Sequence, residues 1–172
     1  MSKVVIITGP ESTGKTELCK RLAKHYNTTY IPEYARTFLE HEARPYTFDD
    51  VIHIAQEQLE QMHRIEEQEQ DKPVFFDTYL IITKKWFEIV YHHYPDWIDE
   101  SIRQTGKYIY LLCYPDLEWQ PDPLRENGGE MRMFLYREYM KELEKFELKY
   151  FIVKGTNQQR TDNAINYLNK YI

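Results

Sequence analysis

At 172 residues the chain has the size of one well-buried domain, and no Pro-, Gly- or Ser-rich stretch divides it. A formal net charge of −6 excludes a generic nucleic-acid or anionic-membrane surface and points to small-molecule partners; a local basic cleft for a phosphorylated ligand is still compatible with it. The two cysteines, Cys19 and Cys113, have neither disulfide nor metal-ligand spacing and read as buried, reduced thiols.

The first predicted strand, Lys3 to Thr8, begins too near the start of the chain for a signal peptide, and no apolar run approaches the length of a membrane span, so a cytoplasmic location is expected. The strand runs directly into Gly9-Pro10-Glu11-Ser12-Thr13-Gly14-Lys15-Thr16, which fits G-x-x-x-x-G-K-[ST]. A strand, a glycine-bounded loop and a helix start are the context of a phosphate-binding P-loop. The glycines let consecutive N–H groups turn inward toward phosphate oxygens, and the helix adds the positive end of its dipole. Gly9, Glu11, Ser12, Thr13, Gly14, Lys15, Thr16 and Glu17 are therefore the candidate nucleotide-binding residues. Lys15 would reach the β- and γ-phosphates, and Thr16 would hold Mg²⁺ through its hydroxyl. The helix that follows, Lys15 to Tyr26, carries Leu18, Leu22 and Tyr26 on one stripe.

A second strand, Thr28 to Pro32, closes on Glu33-Tyr34-Ala35-Arg36 at the start of a helix, with Glu33 and Arg36 on one face. A long helix then opens at Thr47, which forms a T-x-x-D capping pair with Asp50 and carries Val51, Ala55, Leu59, Met62 and Ile65 at helical spacing. The third strand, Pro73 to Asp77, ends in a Walker B-like Val74-Phe75-Phe76-Asp77, whose carboxylate would sit beside Thr16 and share the Mg²⁺. Ligands in an open α/β sheet bind outside the carboxyl ends of the strands, so Glu33 and Asp77 are both candidates for the base that takes a proton from an acceptor hydroxyl. A helix over Tyr79 to His92 follows.

After the fourth strand, Tyr108 to Cys113, the proline-containing stretch of about 115–130 reads as a lid that excludes water from a bound nucleotide. Arg125, with Arg132 and Arg137 on the next helix (Gly129 to Phe146), would reach the phosphates from above; the alternative is pairing with Glu126, Glu130 and Glu138 on a solvated face. A fifth strand, Tyr150 to Val153, leads through Gly155 and Asn157 into a last helix, Gln158 to Tyr171. That turn would contact an adenine ring through its backbone or simply cap the helix. Five short apolar strands alternating with helices give an α/β class: a three-layer α/β/α arrangement around a mainly parallel sheet. Tyr34, Tyr79, Trp86, Trp97 and Trp119 fall near the expected cleft, where one or two would stack a flat base.

GPESTGKT, PEYAR, FFDT and WQPDPLR, in that order, resemble the ribosylnicotinamide kinase domain of NadR proteins, a group of P-loop kinases. The resemblance covers essentially the whole chain. It implies a single P-loop kinase domain over 1–172 that transfers phosphate from ATP, with Mg²⁺, to the 5′-hydroxyl of nicotinamide riboside in NAD salvage. It puts Glu33, Tyr34, Arg36 and Asp77 around the riboside and Trp119, Asp122 and Arg125 on the lid; with the residue reading above, Lys15, Asp77, Glu33 and Arg125 are the expected catalytic residues, and Tyr79 and Trp86 join the expected substrate contacts. Where the family reads D-T-D, this chain has Asp77-Thr78-Tyr79, one carboxylate fewer. Multidomain relatives add an adenylyltransferase domain; no H-x-G-H motif of that kind is present here. A P-loop ATPase switch, or a kinase for another nucleoside or small alcohol, are the competing readings.

Overall fold

In the computed structural model, which describes residues 3–42, 44–68 and 71–172, every residue of β1 (Val4–Thr8), β3 (Val74–Asp77) and β4 (Ile109–Cys113) is buried. The sheet order explains this. The strands run β2-β3-β1-β4-β5 and every pairing is parallel, so those three are central, with β2 (Tyr30–Ile31) and β5 (Tyr150–Val153) at the edges. The expected mainly parallel sheet is thus wholly parallel.

Alternation along β1 divides the core. Val5 and Ile7 face α1 (Lys15–His25) and α7 (Asn157–Leu168), meeting Leu18, Leu22, Ala164 and Leu168. Val4 and Ile6 face the opposite layer, where Val51, Leu80, Ile98 and Leu143 come from α3 (Phe48–Glu66), α4 (Leu80–Tyr91), α5 (Trp97–Arg103) and α6 (Glu130–Lys145). Each face of the sheet therefore has its own helical layer, which is the three-layer arrangement that two-faced apolar strands require.

Thr47 caps α3 as its sequence suggests: its hydroxyl accepts from the Asp50 amide at 3.3 Å, and the Asp50 carboxylate accepts from the Thr47 amide at 2.7 Å. Opposite α3, buried Lys84 on α4 donates to Glu142 on α6 at 2.6 Å, tying the helix after β3 to the helix after the 115–129 loop. Cys19 and Cys113 are buried and unpaired.

Three local differences from the sequence reading have physical causes. Strand β2 is two residues long rather than five, because it pairs on one side only and has no neighbour to extend against. Helix α2 (Tyr34–His41) buries none of its residues and lies on α3. Helix α5 and a 3₁₀ turn (Gln104–Lys107) fill the stretch before β4; seven residues give too few turns for helical periodicity to show in sequence.

Candidate active site

The loop after β1 can be closed only by glycine at two points. Gly9 has φ +146°, and a Cβ there would lie 2.9 Å from the Cys113 carbonyl oxygen; Gly14 has φ +73°, with Leu117 3.1 Å from where a Cβ would stand. Between them the loop is held from within. The hydroxyl of Thr13, wholly buried, donates to the Pro10 carbonyl at 2.8 Å, and the Lys15 ammonium donates to the same oxygen at 2.9 Å.

Parallel pairing brings β3 alongside, with Ile7 opposite Asp77 and the Thr78 amide donating to the Ile7 carbonyl at 3.0 Å. This sets the Asp77 carboxylate against α1, where the Thr16 hydroxyl donates to it. Asp77 is 2 % exposed; burial raises its pKa above the usual carboxylate range, with nearby Lys15 opposing. Its other oxygen, Oδ1, is buried without a hydrogen-bond partner. A buried carboxylate oxygen beside a hydroxyl oxygen suits a hard cation such as Mg²⁺. Among the described residues no cluster of three or more His, Cys, Asp or Glu side chains could hold a metal. A cation between Thr16 and Asp77 would thus draw its remaining ligands from phosphate and water, as Mg²⁺ does.

Glu33 caps α2 and makes no capping bond with its own side chain. Burial raises its pKa, Lys15 opposes and Asp77 adds, so Glu33, Asp77 and Lys15 lie within one another's fields. From the same helix, Arg36 reaches over to Asp122 at 3.1 Å, and Tyr34 hydrogen-bonds His53 of α3 at 2.9 Å. Asp122 is itself fixed by accepting from the Leu124 amide at 3.0 Å. Trp86 packs edge-on against Tyr46 at 4.8 Å, and the Tyr46 hydroxyl reaches Glu126 at 3.4 Å. Trp119 lies against Gly128, where a Cβ would come within 3.2 Å of its ring. The carboxyl ends of β1 and β3, the start of α2 and the 115–129 loop are therefore brought together at one end of the sheet.

Several candidates sit elsewhere. Tyr79 is packed in the core, 2 % exposed and edge-on to Phe76 at 6.2 Å, and its ring helps line a cavity of about 10 Å³ with Glu66, Thr105 and Tyr108. This departs from its expected place at the riboside. The cause is Thr78, whose φ of 70° turns the chain so that the side chain after it enters the core. Trp97 lines a groove of about 490 Å³ with His53, Gln56 and Leu59. Glu17 pairs with Arg21 along α1 at 2.8 Å. Arg125 folds onto its own loop, donating to the Gln120 carbonyl at 2.5 Å, and Arg137 is exposed. Arg132 takes neither expected role: it is 8 % exposed and donates to the carbonyls of Glu11, Ser12 and Leu117 at 3.1, 3.0 and 2.9 Å. Gly155 donates to Asp116 at 2.7 Å, and Asn157, with φ 48°, opens α7.

One residue escaped the sequence reading. Arg160, 4 % exposed, donates to Asp116 at 2.6 Å and to the carbonyls of Gly155, Thr13 and Tyr114 at 2.8, 2.9 and 2.8 Å. It braces the P-loop from behind. The available signal was a cation in the first turn of α7, the end of a helix where positive charge is unfavourable.

A P-loop after the first strand, a carboxylate closing its neighbour and a loop covering both from the far side of the sheet define the P-loop kinase fold. The chain belongs to the family described as AAA domain, whose sequence profile matches residues 4–160. Among solved structures it is similar to a NadR protein in complex with NR, at 26 % identity and a TM-score of 0.73, covering 99 % of this chain and 51 % of that one. A NadR protein with NAD and AMP-PNP gives 25 % identity and a TM-score of 0.69, over 99 % of this chain and 49 % of that one. This chain thus spans about half the length of the NadR chains it matches. A deoxyadenosine kinase from M. mycoides shares the fold at 13 % identity and a TM-score of 0.68, over 97 % and 99 % of the two chains. No helix among the described residues is long and apolar enough to cross a membrane.

Proposed function

We propose that this chain is an ATP-dependent kinase that phosphorylates the 5′-hydroxyl of nicotinamide riboside. The observation that carries the proposal is the juxtaposition of Lys15 with two carboxylates, buried Asp77 and half-buried Glu33, beside the 115–129 loop. The likeness to NadR structures supports the choice of acceptor. Asp77 is engaged by the Thr16 hydroxyl, so Glu33 is the carboxylate left to orient the acceptor hydroxyl and take its proton as the phosphoryl group is transferred. Lys15 exchanges its bond to the Pro10 carbonyl for phosphate oxygens and stabilises the charge that develops there. Thr16 and Asp77 would hold Mg²⁺, which would supply charge neutralisation at the phosphates. Arg36 and Asp122 bound the acceptor side of the cleft, and the loop keeps water from competing with the acceptor.

The test is ADP release from ATP and Mg²⁺ by the purified protein, with and without nicotinamide riboside and a panel of other nucleosides. Strong stimulation by nicotinamide riboside, with its mononucleotide as product, is the expected outcome. Release indifferent to every acceptor would make the protein an ATPase, and stimulation by a different nucleoside would reassign the acceptor. Glu33→Gln is expected to lower turnover about 100-fold. Because burial raises the Glu33 pKa, the wild-type rate should fall with decreasing pH from above the usual carboxylate range. Glu33→Gln should lose the Glu33 part of that acid limb and keep only the part due to Asp77, whose pKa burial also raises; an unchanged limb would remove Glu33 from the role of base.

A further inference from the structure

Two of the four residues between the P-loop glycines turn their side chains toward the 115–129 loop. The Glu11 carboxylate accepts from the Glu126 amide at 3.1 Å and from the Asn127 amide and side-chain amide at 3.0 and 3.1 Å. Ser12, held at φ 56°, accepts from the Gln120 amide at 2.9 Å through its hydroxyl. Arg132 completes the join by donating to P-loop carbonyls and to Leu117 of the loop.

We infer that Glu11 is a positioning residue that latches the lid to the phosphate-binding loop, so that the two close as one body. The inference deepens the kinase reading of the same site and rests on it for its catalytic consequence. An ionised carboxylate accepting three N–H bonds is a strong, directional clasp, since bonds to a charged acceptor outweigh neutral ones. It fastens the lid at residues 126–127, while Arg36 grips Asp122 from the acceptor side. The lid thereby spans both substrates: a shift of the P-loop on ATP binding passes to the turn that carries Trp119 and Asp122. A Glu in this place gives the P-loop control of when water is excluded, which its phosphate contacts alone do not provide.

The test is amide hydrogen exchange at Glu126 and Asn127 in the full chain, alongside turnover with ATP and nicotinamide riboside. Glu11→Ala should exchange those amides roughly tenfold faster or more, with Glu11→Gln between it and the wild type because one acceptor oxygen remains. Asn127→Asp, which leaves the P-loop sequence intact and sets a like charge against Glu11, should match Glu11→Ala and serves if Glu11 variants fold poorly. In each, kcat should drop and ADP release should exceed product formation, while KM for ATP changes less than about threefold. Unchanged exchange in both Glu11→Ala and Asn127→Asp overturns the latch. Loss of ATP affinity in step with kcat, with exchange unchanged, overturns it in favour of direct phosphate contact. Faster exchange with no product from any nucleoside supports the latch and overturns the kinase reading instead.

Discussion

Asp77→Asn is expected to lower turnover about 1,000-fold or more and, at the same time, to raise the melting temperature. On the proposed mechanism the rate falls because the substitution removes the negative charge that, with the Thr16 hydroxyl it accepts from, would hold a cation beside the phosphates. Binding of ATP without metal should change little, since the Lys15 and P-loop contacts stay. The stability gain follows from the direction of the pKa shift. Burial puts the folded-state pKa of Asp77 above its unfolded value, so between the two the native state binds the extra proton. The charged form is therefore a cost to the fold above the native pKa, and stability improves as pH falls through that window. A neutral Asn removes the cost at pH 7, and each kcal/mol regained should raise Tm by about 2–4 °C in a chain of this size. Full turnover in the variant would remove Asp77 from the site; a lowered Tm would mean that its charge is compensated within the fold.

The second large effect is structural. Arg160→Ala should destabilise the protein by about 3 kcal/mol, lowering Tm by about 6–12 °C. It leaves the Thr13, Tyr114 and Gly155 carbonyls and the Asp116 carboxylate without their shared donor. The estimate is at the low end for a buried ion pair because the Asp116 side chain keeps 27 % exposure and can turn to water. Arg160→Lys should recover less than half of the loss, since one ammonium cannot fork to four acceptors on three segments. ATP affinity should fall with stability, because Thr13 belongs to the P-loop. A melting temperature within 2 °C of the wild type would show that the loop does not depend on this brace.

The difference between these two residues follows from how sequence encodes them. Asp77 was legible because it closes an apolar run at a fixed relation to the P-loop, and β1, β3 and β4 were legible because strands buried on both faces are written as unbroken apolar stretches. The P-loop carries its own geometry in Gly9 and Gly14. Arg160 works through a contact 147 positions away in the chain, which no local pattern records. Tyr79 was misplaced for a different reason. Its neighbour Thr78 is β-branched yet left-handed, a conformation propensity argues against, and that one residue turns the chain so that Tyr79 enters the core. The lid was recognisable as a loop, but the partners of Arg125 and Arg132 depend on how that loop lies across the P-loop.

The sheet order also governs when the site can come into being. β1 leaves the ribosome before both of its pairing partners, β3, starting at residue 74, and β4, starting at residue 109. The P-loop strand must therefore wait, exposed and apolar, until β3 and then β4 have been made, the situation in which parallel sheets fold slowly and risk aggregation. Completion comes later still, when α7 docks and Arg160 reaches back to Thr13. A helix made well after the P-loop thus completes its bracing, and a nascent chain acquires the fully braced loop only once α7 has emerged.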